Sequence, residues 1–132
     1  MKRTFQLKAL ACLVATALFL VGCTKPMEVK DFDESLLAAS LATNDTLLLV
    51  DFRADWCGPC RQMDPKIEAI AQCYSRDLRV ARVDIGRQPD AARAHNISGI
   101  PCLVFFKHGH ERVRLTGNVA CESILEAVEK HL

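Results

Sequence analysis

Trp56-Cys57-Gly58-Pro59-Cys60 joins an apolar stretch, Thr46 to Phe52, to an amphipathic one, Gln62 to Tyr74. The first stretch predicts a central β-strand covered on both faces, and the second predicts an α-helix. Cys57 therefore lies at a helix start, where unpaired N–H groups and the positive end of the helix dipole favour its thiolate. Because the thiolate is the form that attacks a disulfide, the sequence indicates disulfide exchange, with Cys60 closing the ring.

The same cysteine pair has two other interpretations, a structural disulfide and half of a zinc site. A zinc ion needs two further ligands, and neither His95 nor His108 with His110 forms a second closely spaced motif with a cysteine. We therefore predict no metal ligand in the chain and favour a redox role for the pair.

The N-terminal residues resemble an export signal rather than part of a folded domain. Lys2 and Arg3 precede an apolar run, Ala9 to Val21, which is too short to cross a bilayer and has the length of a signal-peptide core. The run ends in Leu20-Val21-Gly22-Cys23, which resembles the bacterial lipobox, where the cysteine is lipidated and becomes the mature N-terminus. An ordinary signal peptide or an uncleaved anchor, with Cys23 incidental, is the alternative.

These features predict three segments with different roles. Residues 1–22 form a lipoprotein signal peptide, residues 23–30 form a tether lipidated at Cys23, and residues 31–132 form a single domain. The domain is then lipid-anchored to a bacterial membrane and faces the periplasm, with the inner and outer membranes both open. Export also makes a structural disulfide the commoner role of a cysteine pair, so compartment alone argues against catalysis.

The charge balance gives no reason to expect nucleic acid as a partner. The chain has 17 basic and 16 acidic residues. Removal of the predicted signal peptide takes away three basic residues, Lys2, Arg3 and Lys8, and leaves 14 basic against 16 acidic residues, a net charge near −2.

Alternating and helical hydrophobic patterns predict the secondary structure of the whole domain. Helices are predicted over residues 31–41, 62–74, 89–95 and 122–132, and strands over residues 46–52, 78–85, 102–106 and 112–116. Pro65 lies inside the second helix and is expected to bend it. The order α-β-α-β-α-β-β-α predicts an α/β sandwich around a mixed sheet.

Four separated sequence elements resemble those of a thioredoxin and occur in the same order. They are Val50-Asp51-Phe52, the Trp56 to Cys60 motif, Gly99-Ile100-Pro101 and Gly117. The resemblance implies the thioredoxin fold, with a central mixed β-sheet flanked by helices, and the activity of a protein-disulfide oxidoreductase. It also implies no metal or organic cofactor, because the dithiol itself carries the two electrons.

The resemblance assigns the catalytic roles to three residues. Cys57 is the nucleophile and Cys60 the resolving thiol of a redox-active disulfide. Asp51 is expected to be a buried carboxylate that accepts the proton of Cys60, unless it is a strand-end aspartate that caps a backbone group. Gly58-Pro59 is the dipeptide of the family's reducing members, and the loop lacks the histidine of the oxidising ones, so reduction is the favoured direction.

Four further residues are expected to bind an extended substrate. Ile100 and Pro101 resemble the family's cis-proline segment, which lies against the cysteine motif, although a trans-proline at a strand entrance is the alternative. Trp56 is expected to shield the motif and present a flat apolar surface, unless it is a core residue. Gly117 is expected to keep the other wall of the substrate groove open, although a lone glycine is equally typical of a turn.

Three charged residues depart from the family pattern. Arg53 replaces an aromatic residue and is expected to make the surface near the motif more basic. Asp64 adds an acidic group to the helix after the motif. Arg82 stands where thioredoxins often carry a lysine near the buried aspartate. Because an arginine does not release its proton, Arg82 could only tune the local field, and we expect a solvated strand residue.

Three cysteines outside the motif are also unusual. Once residues 1–22 are removed, with Cys23 lipidated and the motif pair bonded, Cys73, Cys102 and Cys121 remain, and an odd number cannot all pair within the chain. At least one thiol is therefore free or bonded to another molecule. The general expectation for each is a buried, unreactive cysteine. Cys102 directly follows Pro101, so exchange between Cys102 and the catalytic pair is a second hypothesis.

Together these features predict a monomeric, membrane-tethered oxidoreductase acting on protein disulfide or dithiol substrates. A reductase outside the cytoplasm must itself be reduced again, which implies a membrane electron donor. Two alternatives stay open. The protein could be an oxidase or isomerase of the same family, or a thioredoxin-fold lipoprotein that binds partners or delivers metal and whose disulfide is structural.

Overall fold

A computed structural model describes residues 30, 31, 33–43 and 45–132. The predicted signal peptide, Cys23 and all but the last residue of the predicted tether lie outside the described residues. The elements are, in order, β1 (Lys30–Asp31), α1 (Glu34–Thr43), β2 (Leu47–Arg53), α2 (Gly58–Cys73), β3 (Leu78–Asp84), α3 (Pro89–Ala94), β4 (Cys102–Lys107), β5 (His110–Thr116) and α4 (Cys121–His131). None of the helices in this described part has the length and apolar character that crossing a membrane requires.

The strands form one mixed sheet in the order β1-β3-β2-β4-β5. β2 and β3 are parallel and are connected through α2, whereas β4 runs antiparallel to both β2 and β5. β2 lies at the centre, and its residues Leu47 to Phe52 are all buried, as the unbroken apolar run predicts. The predicted fold class, a mixed sheet flanked by helices, is confirmed.

Alternate residues of β2 face two separate hydrophobic cores. One core contains Leu47 and Leu49 and includes residues of α2 and α4. The other contains Leu48 and Val50 and includes residues of α1 and α3. Because side chains alternate across a strand, Asp51 lies on the same face as Leu47 and Leu49, which is the face that α2 covers.

All the predicted helices and strands are present, with differences at some of their ends, and one strand near the N-terminal end of the described residues was not predicted. Asp31 was expected to begin the first helix and Lys30 to belong to the tether, but the two form β1 beside β3. The helix begins at Glu34. The carbonyl of Asp33 accepts the N–H of Leu37 at 2.9 Å, so Asp33 rather than Asp31 provides the first helical acceptor.

Candidate active site

Cys57 is held at the N-terminus of α2 by the segment that leaves β2. Its N–H donates to the carbonyl of Ala54 at 3.0 Å. It occupies the N-cap position of α2, and Pro59 lies in the first turn, where a missing N–H is harmless. The helix therefore begins at Gly58, about one turn earlier than predicted. Cys57 and Cys60 form a disulfide, with their Cα atoms 5.3 Å apart.

The disulfide accepts one hydrogen bond and otherwise packs with apolar side chains. The sulfur of Cys57 accepts a hydrogen bond from the N–H of Cys60 at 3.2 Å, which is one of the donors left unpaired at the helix start. The two cysteines pack with Ala54, Ile85 and Ile100. Cys57 is 5% exposed and Cys60 is 0% exposed, so a substrate can reach Cys57 but not Cys60.

Asp51 is a buried carboxyl group beneath α2. It is 1% exposed, and neither carboxyl oxygen has a hydrogen-bond partner among the described residues, so the strand-end cap alternative is wrong. Burial raises the pKa of Asp51 from 3.8 to about 6, although the charges of Arg53 and Arg82 act in the opposite direction. A carboxylate with this pKa is ionised at neutral pH yet is a stronger base than a solvated aspartate, which suits it to accept a thiol proton.

Arg82 is not the solvated strand residue that the sequence predicts. It lies opposite Asp51 in the register of β2 and β3, and its side chain is only 18% exposed. Its Nε atom lies 3.9 Å from Oδ2 of Asp51, and its Nη2 atom donates to Asp64 and to Glu68 at 3.2 Å each. The sheet explains the error, because a residue directly opposite Asp51 shares the face that α2 covers.

Arg53 does not add a free positive charge to the surface. Its side chain is 13% exposed, and its Nη1 atom donates to Oδ1 of Asp64, the oxygen that also accepts from Arg82. The expectation of a more basic surface is therefore wrong. The sequence does carry a signal for this cluster. Asp64 follows Cys60 by one helical turn and Arg53 follows Asp51 by two strand positions, so each shares a face with its catalytic neighbour.

The predicted substrate-binding residues include one direct chain neighbour of Cys57, Trp56, and one residue packed against the pair, Ile100. Trp56 is 73% exposed, so the alternative of a core tryptophan is wrong. The Ile100–Pro101 bond is cis, and Ile100 packs against the two cysteines. Gly117 has a φ of 91°, a conformation that favours glycine, and its N–H donates to the carbonyl of Pro101 at 2.8 Å. A Cβ at Gly117 would meet no atom of the described chain within 4 Å, so this wall is open.

The cysteines outside the motif differ in exposure and position. Cys102 and Cys121 are free thiols, which agrees with the prediction of at least one free cysteine. Cys102 is buried opposite Phe52 in the core that contains residues of α1 and α3, whereas the catalytic pair forms a separate cluster. Cys102 and the pair thus belong to different clusters, and exchange between them stays a prediction. Cys73 is exposed and Cys121 is half-buried, so the expectation of burial is wrong for both.

The geometry defines the class of protein. It combines a reachable cysteine at a helix start, a buried partner cysteine and a buried carboxyl group with a raised pKa on the sheet face that the same helix covers. This arrangement is that of a thiol–disulfide oxidoreductase. Within the described residues, no group of three or more His, Cys, Asp or Glu side chains is placed to hold a metal ion.

Comparisons with known proteins give the family. A model of the thioredoxin family matches residues 24–130. The chain is 35% identical to Thioredoxin 1 of Nostoc sp. over 99 residues, which cover 75% of this chain and 92% of that protein. It is 39% identical to a thioredoxin of Mycobacterium tuberculosis over 93 residues, 70% of this chain and 79% of that protein. A mutant thioredoxin structure from Halobacterium salinarum matches with a TM-score of 0.72 and 30% identity, covering 83% of this chain and 96% of that one.

The chain therefore belongs to the thioredoxin family, and it is a protein-disulfide oxidoreductase with Cys57 and Cys60 as its redox pair.

Proposed function

We propose that the protein reduces protein disulfides on the periplasmic side of a bacterial membrane. In the reduced protein, the Cys57 thiolate attacks a substrate disulfide, forms a mixed disulfide and releases one substrate thiolate. Cys60 then gives its proton to Asp51 and attacks the sulfur of Cys57, which releases the second substrate thiolate. The Cys57–Cys60 disulfide remains, and two electrons have passed to the substrate.

The apolar surroundings of the pair support the reducing direction, and this observation carries the proposal. A protein that strongly stabilises its thiolate stabilises its reduced form and becomes an oxidant. Here the helix start offers Cys57 one N–H and the dipole, while Ala54, Ile85 and Ile100 pack with the two cysteines and carry no charge. Because apolar contact raises a thiol pKa, the thiolate gains only moderate stabilisation. Gly58-Pro59, the dipeptide of the reducing relatives, favours the same direction.

The substrate is proposed to bind as an extended segment across the face that carries Trp56. The exposed indole gives an apolar contact beside Cys57, and Ile100 adds a half-buried apolar surface against the same cysteine pair. Gly117 is hydrogen-bonded to Pro101, and no atom of the described chain lies within 4 Å of the position that a Cβ would take there. This space beside Pro101 is where we place the substrate segment.

The proposed location rests on the N-terminal sequence alone. The basic residues Lys2 and Arg3, the short apolar run and Leu20-Val21-Gly22-Cys23 support a lipid anchor at Cys23. A reductase outside the cytoplasm is consumed by each turnover unless it is reduced again. We therefore include a membrane-bound dithiol donor as a partner, with the protein itself acting as a monomer.

The redox potential of the pair tests the direction of exchange. Equilibration with glutathione or dithiothreitol, followed by thiol alkylation and mass spectrometry, is expected to give a potential nearer to about −270 mV, typical of reducing thioredoxins, than to about −120 mV, typical of a strong oxidant. The reduced protein is also expected to reduce insulin. A potential above about −180 mV would instead indicate an oxidase or isomerase. A pair that dithiothreitol barely reduces, without insulin reduction, would support a binding module with a structural disulfide.

Cys23→Ala tests the proposed anchor. The full chain, expressed in a Gram-negative host, is expected to incorporate labelled palmitate and to sediment with the membranes, whereas the variant is expected to lose the label and leave the lipid-anchored fraction. The reason is that a diacylated cysteine gives two buried chains, and two are needed for stable membrane attachment. An unlabelled wild-type chain, or an unchanged membrane fraction of the variant, would contradict the anchor while leaving the redox chemistry untouched.

A further inference from the structure

Four charged side chains surround the carboxyl group of Asp51, and they come from three elements. Arg53 follows it on β2, Arg82 lies opposite it on β3, and Asp64 and Glu68 reach toward Arg82 from α2. On the remaining neighbouring strand, β4, the register partner of Asp51 is Leu103, which does not titrate. α2, which covers this face, also carries the catalytic Cys60, and Cys60 is bonded to Cys57 in this state.

Both arginines lie beside Asp51, yet neither donates a hydrogen bond to it. Arg82 Nε lies 3.9 Å from the carboxyl, and neither Nε nor the two carboxyl oxygens have a hydrogen-bond partner among the described residues. The Nη2 end of Arg82 instead donates to Asp64 and Glu68, and Arg53 donates to the same oxygen of Asp64. A single carboxylate oxygen of Asp64 therefore holds one guanidinium group from each of two strands.

The charges of this cluster balance only while Asp51 is protonated. Arg53 and Arg82 contribute two positive charges, and Asp64 and Glu68 contribute two negative charges. Ionisation of Asp51 adds a third negative charge, and its nearest cationic nitrogen, Arg82 Nε at 3.9 Å, makes no hydrogen bond to it in this nearly inaccessible site. Asp64 is the half-buried member of the acidic pair, with 25% exposure against 53% for Glu68, so its charge is screened less by solvent.

We propose that Asp64 is a positioning residue that keeps the guanidinium groups of Arg53 and Arg82 from hydrogen-bonding to the Asp51 carboxyl, so that this carboxyl stays available as the proton acceptor for Cys60. The proposal rests on the proposed proton-accepting role of Asp51. Without Asp64, the exposed Glu68 is the only acid of the cluster that still binds Arg82. A short movement of the Arg82 side chain would then bring it into a hydrogen-bonded ion pair with Asp51. A carboxylate in such a pair is a weaker base and a poorer acceptor for a thiol proton.

Asp64→Asn, an isosteric change that removes only the charge, tests the proposal. The titration of Asp51 can be followed by carboxyl ¹³C NMR of the oxidised protein, with its signal assigned through its loss in Asp51→Asn. We expect the inflection of this titration to move to lower pH by about one unit, since an adjacent arginine typically lowers the pKa of an aspartate by this much or more. Asp64→Glu, which keeps the charge, is expected to restore the inflection, and Asp77→Asn, an exposed change in the turn between α2 and β3, is expected to leave it in place.

A second substitution separates positioning from the charge of Asp64 itself. In an Arg82→Gln background, Asp64→Asn is expected to shift the inflection much less, because the nearer arginine is no longer there to pair with Asp51. A shift of equal size in both backgrounds, or an unchanged inflection in Asp64→Asn, would overturn the proposal. If Asp64→Asn does not fold, Asp64→Ser, which also removes the charge, takes its place; a downward shift supports the proposal and an unchanged inflection overturns it.

The same measurements distinguish the proton-accepting role of Asp51 from the positioning role of Asp64. If Asp51→Asn leaves the rate at which Cys60 resolves a mixed disulfide unchanged at every pH, the proposed proton acceptor is wrong, whatever Asp64 does. If Asp51→Asn slows that step but Asp64→Asn leaves the inflection of Asp51 unmoved, the acceptor stands and the positioning role of Asp64 is refuted.

Discussion

Cys57→Ser is expected to lower the rate of insulin reduction to the uncatalysed background, a loss on the order of 10³-fold or more. Cys57 is the cysteine of the pair that a substrate can reach, and its sulfur is the one that accepts the N–H at the start of α2. A serine hydroxyl at the same place is almost fully protonated at neutral pH, so it offers no comparable nucleophile. The rate is measured by turbidity with dithiothreitol as the electron source.

Cys121→Ser is the matched control, because it makes the same chemical change at a half-buried free cysteine on α4. It is expected to keep the wild-type rate. An active Cys57→Ser variant would show that another thiol carries the exchange, and a slow Cys121→Ser variant would place Cys121 in the reaction.

Cys60→Ser is expected to block a later step of the reaction than Cys57→Ser does, because it leaves the attacking thiol in place. Cys57 still forms the mixed disulfide, but no buried thiol is available to resolve it, so the intermediate accumulates. Non-reducing electrophoresis and mass spectrometry of the variant, expressed in its own compartment, are expected to show adducts that dithiothreitol removes. Recovery of no adduct would count against the order of attack in which Cys57 acts first.

The fold was predictable because short stretches of sequence carry the hydrophobic patterns that indicate its strands and helices. The unbroken apolar run from Leu47 to Phe52 indicates a central strand, and the helical spacing after Cys60 indicates the helix that covers it. β1 was missed because a two-residue strand has no period to detect. Its pairing with β3 depends on where the sheet edge lies, which only the assembled fold determines.

The catalytic pair and Asp51 were predictable for the same reason, but the charges around Asp51 were not. Arg53, Asp64 and Arg82 each appear polar and solvated when considered singly in the sequence. Their meeting depends on two parallel strands and one helix converging on a single buried face. The spacing of Asp64 from Cys60 and of Arg53 from Asp51 constrains each residue to a face, but only the strand register brings Arg82 to the same point.

The effect of Asp51→Asn on the free energy of unfolding is expected to depend on pH. It is expected to be more favourable to the folded protein at pH 8 than at pH 4, by about 2 to 3 kcal/mol. Folding raises the pKa of Asp51 from 3.8 to about 6, chiefly through burial. The native state therefore binds the proton more tightly than the unfolded chain. The protonated carboxyl favours the native state below pH 3.8, this advantage declines as the pH rises, and it is lost above about pH 6. Asparagine is neutral throughout and lacks this dependence.

Urea unfolding of the oxidised wild type and variant at the two pH values measures the effect, and the difference between them cancels the titration of other groups. Asp90→Asn, an exposed change in α3, is the control, and its difference is expected to vary little with pH. A difference for Asp51→Asn that is equal at both pH values would mean that the native pKa is not raised.

The same variant is expected to slow the resolving step at pH 7 on the order of 100-fold, since general acid–base groups typically contribute at least this much. Single-turnover release of substrate from a preformed mixed disulfide measures the step directly. A residue whose removal stabilises the fold and slows the reaction is retained for chemistry rather than for packing. An Asp51→Asn variant could be more stable at pH 8 and still resolve the mixed disulfide at the wild-type rate. That result would mean that the buried carboxyl has no role in the resolving step.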